Sequence, residues 1–129
     1  MHTAKIIISI LIILSFILSA SIIGANSLRA TSDKLEGHIA EIEESTLSGN
    51  WDKAKENVDS IEKTWSKAEG TWTILLDHAE IDNIDNSLSR MKKYIDSQDR
   101  TLALGELANL HQYVKHIPQM ESLNLRNIF

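Results

Sequence analysis

The amino-terminal part of the chain is an uninterrupted apolar segment. Between Lys5 and Arg29 no charged residue occurs, and residues 6–23 consist almost entirely of isoleucine, leucine, alanine and serine. A helix that rises ~1.5 Å per residue crosses a hydrocarbon layer of ~30 Å with about 20 such residues. The pattern therefore predicts an amino-terminal tail and transmembrane anchor over residues 1–28, with membrane lipid around residues 6–28.

A cleaved secretory signal is the alternative for this segment. Lys5 would supply its basic start, and Ala20 or Ala25 would end a small-residue cleavage site. The apolar run is longer than the ~7–15 residues usual in a signal, so we favour an uncleaved signal anchor. A short amino-terminal tail followed by a long acidic domain favours an amino terminus inside the cell. Both interpretations place the rest of the chain outside the cytosol.

Beyond the anchor, apolar positions recur at helical spacing. We expect the membrane helix to continue outward without a joint and to end at Gly49. Its inward positions advance by seven, four, three and four residues through Leu28, Leu35, Ile39, Ile42 and Thr46.

The clearest periodicity follows Asn50, which is a favourable helix N-cap. Steps of three and four residues alternate, as in the seam of a left-handed helical bundle. The residues of this seam are Trp51, Ala54, Val58, Ile61, Trp65, Ala68, Trp72 and Leu75.

The register changes near Asp77, which predicts a helix boundary there. Asp77 and Glu80 have the spacing of a capping box, in which each side chain bonds to the other residue's backbone amide. Asp99 similarly precedes a last helix, which Pro118 is expected to end. The apolar positions of the third helix are Ile81, Ile84, Leu88, Met91 and Ile95, and those of the last are Ala103, Leu107, Leu110, Val114 and Ile117.

Short connections make consecutive helices antiparallel neighbours. The sequence therefore predicts an all-α protein in which an N-terminal transmembrane helix continues into an up-down antiparallel bundle of about four helices over residues 29–117. Residues 118–129 are expected to form an apolar tail packed on the bundle. The alternative is that this tail inserts into a groove of a partner protein. The predicted core contains Trp51, Trp65, Trp72, Ile81, Ile84, Leu88, Leu107 and Leu110.

Composition limits the classes of function. A chain of 129 residues has room for one domain, and its lack of cysteine excludes disulfides, a thiolate nucleophile and cysteine-ligated metal. A net charge of −5 argues against nucleic-acid binding, because no basic face can be assembled. No nucleophile elbow or phosphate-cradling glycine loop is recognisable. We predict neither catalytic residues nor a cofactor.

His78, Asp82 and Asp85 form one stripe on the predicted third helix. An imidazole and two carboxylates are a suitable ligand set for a divalent cation. Acidic residues also gather near a helix start because its positive end favours them, and we favour this structural interpretation, with a metal site as the alternative. The three tryptophans are interpreted as core, with a contact of Trp72 to lipid head groups as the alternative.

Several short motifs resemble a known family. They are Asn50-Trp51-x-x-Ala54, Asp77-His78-x-Glu80-Ile81-Asp82-Asn83-Ile84, Ser87-Leu88-Ser89-Arg90, Ala103-Leu104-x-Glu106-Leu107 and His116-Ile117-Pro118. Together they resemble a domain-of-unknown-function family of short, N-terminally membrane-anchored, all-helical proteins of spore-forming Firmicutes. The resemblance covers almost the whole chain and implies a bacterial envelope protein.

From location and resemblance we expect a single-pass protein of the cell membrane with an extracytoplasmic helical domain. Its expected role is that of a non-enzymatic interaction or accessory subunit for another membrane protein. Two alternatives stay open at this point: a ligand- or metal-binding module that uses residues 77–85, and a secreted helical protein released by signal cleavage.

Overall fold

The computed structural model describes the backbone of residues 1–128 and the side chains of residues 1–119. It contains four helices, which are α1 (His2–Leu47), α2 (Trp51–Leu75), α3 (His78–Asp96) and α4 (Arg100–Ile128). Helix α1 packs on α2 and α4, and α3 packs on the same two helices. This arrangement confirms the predicted all-α bundle of four helices.

Helix α1 has two parts with different surroundings. It runs for 46 residues without interruption, so the apolar segment and the first helix of the bundle are one rod, as the spacing predicts. The bundle's core begins at Leu28, and most of the apolar side chains before it are exposed. The buried positions of α1 are Leu28, Ser32, Leu35, Ile39, Ile42, Ser45 and Thr46.

The turn between α1 and α2 is built on Gly49. This glycine has a φ of +72°, a conformation that a residue without a Cβ adopts with little strain. The backbone amide of Asn50 donates to the Ser45 carbonyl over 2.9 Å, which closes α1 in a Schellman motif. The Asn50 side chain then accepts from the Lys53 amide at 3.2 Å and caps α2.

The turn between α3 and α4 repeats this geometry without a glycine. Gln98 has a φ of 57°, in the left-handed region. The Asp99 amide donates to the Tyr94 carbonyl over 2.9 Å, and the Asp99 side chain accepts from the Leu102 amide at 3.1 Å. A glutamine in the left-handed conformation costs about 1–2 kcal/mol, and the sequence pattern does not predict this conformation at Gln98.

The core draws on all four helices. Trp51 starts α2 and is half-buried against the core, whereas the other predicted core residues are buried. These buried residues are Trp65, Trp72, Ile81, Ile84, Leu88, Leu107 and Leu110.

The corner between α2 and α3 lacks the predicted capping box. Asp77 is the N-cap residue of α3, but its side chain makes no cap hydrogen bond. Its backbone carbonyl instead accepts from the amides of Glu80 at 3.1 Å and Ile81 at 3.4 Å. Asp77 is exposed, and water can satisfy the first amides of a helix that starts at the surface.

The prediction that Pro118 ends the last helix is wrong. Helix α4 passes through Pro118 and continues to Ile128. Proline removes one amide donor, which leaves the carbonyl four residues earlier without its helical partner. That carbonyl belongs to Val114, and it accepts a hydrogen bond from the buried Ser32 hydroxyl of α1 at 3.0 Å. The packing predicted for the apolar tail, through Met120, Leu123, Leu125, Ile128 and Phe129, lies outside the described side chains.

Candidate functional site

The first half of α1 is an uncovered apolar surface. Among the described residues, α1 is the one helix long and apolar enough to cross a membrane, and the apolar stretch is not buried within the chain. Most isoleucine and leucine side chains from Ile6 to Ile23, and that of Phe16, have half or more of their surface exposed. Apolar surface of this extent needs cover other than water.

Helix α2 ends beside the part of this surface that lies nearest the bundle. A Cβ built on Gly24 would lie 3.6 Å from the Leu75 Cδ2 atom, an ordinary van der Waals distance, so Leu75 of α2 packs directly beside Gly24 of α1. Ile74 is 84% exposed and Leu75 38% exposed. The apolar surface of α1 therefore extends onto the end of α2.

Two adjoining hollows separate α1 from α2 at this place, and we call them together the junction groove. The lower hollow has a volume of about 450 Å³ and apolar walls that include Phe16, Ile23 and Ile74. The upper hollow, of about 300 Å³, has polar walls that include Lys34, Lys67, Thr31 and Thr64. Ser27 and Thr71 line both hollows, so the groove is continuous.

Trp72 closes the inner side of the upper hollow. It is 1% exposed, so the alternative of a Trp72 contact with lipid head groups does not fit the structure. Its ring meets that of Trp65 edge to face, with centroids 5.3 Å apart and planes at 86°. The buried Trp72 Nε1 has no acceptor among the described residues. An unsatisfied buried donor costs about 1–3 kcal/mol, which the packing of the Trp72 ring must offset.

The metal-site hypothesis for α3 does not fit the geometry. In the part of the chain that the structure describes, no three His, Cys, Asp or Glu side chains are grouped to hold a metal ion. His78, Asp82 and Asp85 therefore do not form the ligand set that their spacing allows. Asp85 has a different partner, since its Oδ1 accepts a hydrogen bond from Trp65 Nε1 at 2.6 Å.

Glu69 of α2 lies beside Asp85 and has a perturbed acidity. Burial raises the pKa of Glu69 above its ordinary value. The negative charge of Asp85 and a hydrogen bond between the two carboxyl groups raise the pKa of Glu69 further. The folded state thus holds the Glu69 proton more tightly than the unfolded chain. The stability that this group contributes is fully present below its unfolded pKa and is lost as the pH rises through the raised folded value.

We expect Glu69→Gln to be more stable than the wild type at neutral pH. Glutamine removes the repulsion with Asp85, and the difference should close on acidification to about pH 3, below the pKa of about 4.3 of an unfolded glutamate, where Glu69 is protonated in both states. Thermal unfolding of the full-length chain in detergent micelles, measured across the acid range, tests this. Glu43→Gln is the matched control, since Glu43 is exposed. A pH-independent gain, or the same gain for Glu43→Gln, would contradict the assignment.

A second charged group ties α3 to α4. Glu106 Oε1 accepts hydrogen bonds from Ser87 Oγ and from Arg90 Nη2, each at 2.8 Å. Burial alone would raise the pKa of Glu106, but the hydrogen bonds from Arg90 and Ser87 and the Arg90 charge together hold it below its ordinary value. These residues come from two of the motifs that carry the family resemblance, and in the structure they fasten one helix to the next.

The comparisons with known proteins give one match. The family described as "Domain of unknown function (DUF4363)" matches residues 22–128. The matched region begins near the end of the apolar segment that adjoins the bundle, and it includes the whole bundle. No curated protein and no solved structure matches the chain.

Proposed function

The chain belongs to the DUF4363 family, and from that premise we propose that it is a single-pass protein of the cell membrane with an extracytoplasmic, non-enzymatic helical domain. We infer that this domain acts as an interaction or accessory subunit for another membrane protein. The observation that carries the proposal is helix α1, whose first half is apolar and uncovered and whose second half belongs to the bundle's core. Anchor and bundle are thereby joined without a flexible linker.

The use of buried polar groups supports an architectural role. Ser87 and Glu106 pair across α3 and α4, and Asn57 Nδ2 donates to Ser45 Oγ at 3.0 Å across α2 and α1. Paired polar groups of this kind fix the relative positions of helices. A rigid bundle held at a set height above the bilayer is suited to present a fixed surface to a neighbour in the membrane.

The proposed orientation is supported by the long acidic part that follows the apolar segment. All 18 acidic residues lie there, and long domains cross membranes with little regard to their charge. The basic residues nearest the segment, Lys5 before it and Arg29 and Lys34 after it, discriminate little between the two orientations. We therefore propose that the bundle lies on the outer side.

Membrane fractionation and cysteine labelling test location and orientation. The chain has no cysteine, so Thr3→Cys and Gln112→Cys each introduce a single label site. We expect the protein to resist carbonate extraction, and a membrane-impermeant maleimide on intact cells to label the Gln112 site and not the Thr3 site. Full-length protein in the soluble fraction, or the reverse labelling pattern, would overturn the proposal.

The mass of the native amino terminus separates an anchor from a secreted product. An intact amino terminus supports the anchor, whereas a chain that begins after Ala20 or Ala25 indicates cleavage. The interaction role is tested by crosslinking in native membranes followed by mass spectrometry. We expect crosslinks from the bundle to one membrane protein in reproducible yield, and crosslinks to soluble proteins alone would contradict the accessory role.

A further inference from the structure

The walls of the junction groove change from apolar to polar along its length, as a membrane changes from its hydrocarbon core to its head-group layer. Its lower hollow is apolar and lies beside the membrane segment of α1, while its upper hollow is lined by hydroxyls and two lysines. Ser27 and Thr71 mark the boundary, because both line both hollows. Ser27 follows Ile23 by one helical turn, about 6 Å along the axis. The boundary therefore falls in the head-group layer, which begins where the hydrocarbon core ends.

The upper hollow collects hydrogen-bond donors and positive charge in an otherwise acidic chain. Lys34 stands on α1 and Lys67 on α2, so each wall contributes one ammonium group. Thr31 adds a hydroxyl donor from α1, whereas the Thr64 hydroxyl of α2 is paired with His38 Nε2 at 3.0 Å. Trp72 forms the inner wall of this hollow and is 1% exposed, so the donors that line the accessible walls are ammonium and hydroxyl groups. Such donors suit the oxygens of a phosphate group.

We propose that the junction groove binds one phospholipid with an anionic head group. An acyl chain occupies the lower hollow against Phe16, Ile23 and Ile74, and the phosphate is held in the upper hollow by Lys34 and Lys67. A helix of a partner protein suits the groove less well, because its upper half is polar and cationic. The inference rests on the proposed function in one respect, which is that α1 lies in a bilayer.

Lipid binding by the full-length chain in a neutral detergent tests the proposal. Native mass spectrometry and thermal unfolding are measured with phosphatidylglycerol, with phosphatidylcholine of the same acyl chains, and with inorganic phosphate. We expect one phosphatidylglycerol to stay bound and to raise the melting temperature, with a clear preference over phosphatidylcholine. Equal binding of the two lipids would overturn the anionic head group. The same stabilisation by inorganic phosphate would overturn the lipid and indicate a site for free phosphate.

Paired substitutions connect that binding to the groove. Lys34→Gln with Lys67→Gln should weaken phosphatidylglycerol binding roughly 30-fold, as expected for two basic residues near an anionic head group. Lys55→Gln with Lys63→Gln removes the same charge from exposed lysines of α2 that do not line the groove, and should leave binding unchanged. An equal loss in both pairs would indicate a bulk charge effect and contradict the site.

The lower hollow has its own variant. Ile74 is exposed, so Ile74→Gln is expected to fold normally while it weakens binding of long-chain phosphatidylglycerol. Unchanged binding by this variant would contradict the acyl-chain position. Carbonate extraction of each variant separates this inference from the proposed function: protein that stays in the membrane without selective lipid binding contradicts the groove alone, and protein that leaves the membrane contradicts the anchor.

Discussion

Trp65→Ala is expected to destabilise the bundle by about 3–5 kcal/mol, the usual loss when a buried aromatic side chain is truncated to alanine. Trp65 is 4% exposed and lies at the centre of α2, where its ring meets Trp72 edge to face. Truncation removes that contact, leaves a cavity between α2 and α3, and deprives the Asp85 carboxylate of its 2.6 Å hydrogen bond. Thermal or urea unfolding of the full-length chain in detergent micelles measures the loss.

Two further variants divide this effect into its parts. Trp65→Phe keeps most of the apolar volume and loses the N–H donor, so we expect a smaller loss of about 1–2 kcal/mol. Trp51→Ala is the matched control for tryptophan truncation, because Trp51 is half-buried at the first residue of α2, and it should cost less than Trp65→Ala. An unchanged melting curve for Trp65→Ala would mean that the tryptophan face does not stabilise the bundle.

Hydrophobic spacing was sufficient to predict the helices and most of their boundaries. A stripe repeated every three or four residues can be buried only on one side of a helix, and a change of register marks the place where one helix gives way to another. The break near Asp77 followed from this argument, and the end of α1 followed from Gly49 as a helix breaker. In the structure α2 ends at Leu75 and α3 begins at His78, and α1 ends at Leu47 with Gly49 in the turn after it. These features depend on residues that are close in sequence.

Features that depend on distant residues were not predictable in the same way. The His78, Asp82 and Asp85 spacing describes a stripe on α3, but it does not reveal that Trp65 of α2 takes Asp85 as its acceptor. The junction groove was missed for a similar reason, because its two walls come from residues at least 30 positions apart that meet only when α2 folds back on α1. A strip of lysine and hydroxyl side chains on each helix, next to the apolar segment, is the signal that was available.

Pro118 is a second feature whose effect depends on a residue that is distant in sequence. Proline is a reliable breaker when the carbonyl that it deprives of a donor has no other partner. Here Ser32, 82 residues away from Val114 in sequence, supplies that donor. A prediction from local sequence therefore placed the end of α4 too early, because the hydrogen-bond donor that compensates for Pro118 belongs to α1.

This compensation predicts that Ser32→Ala destabilises the bundle by about 1–3 kcal/mol, because the Val114 carbonyl is buried and would lose its donor. In a Pro118→Ala background the restored backbone amide at that position satisfies the same carbonyl, and Ser32→Ala should then cost much less. Ser60→Ala is the control, since the Ser60 hydroxyl donates to a carbonyl inside a regular stretch of α2, and its loss should be close to zero. The double-mutant cycle isolates the coupling between Ser32 and Pro118. Additive losses would show that the hydroxyl does not replace the missing amide, and the continuity of α4 through its proline would then need another cause.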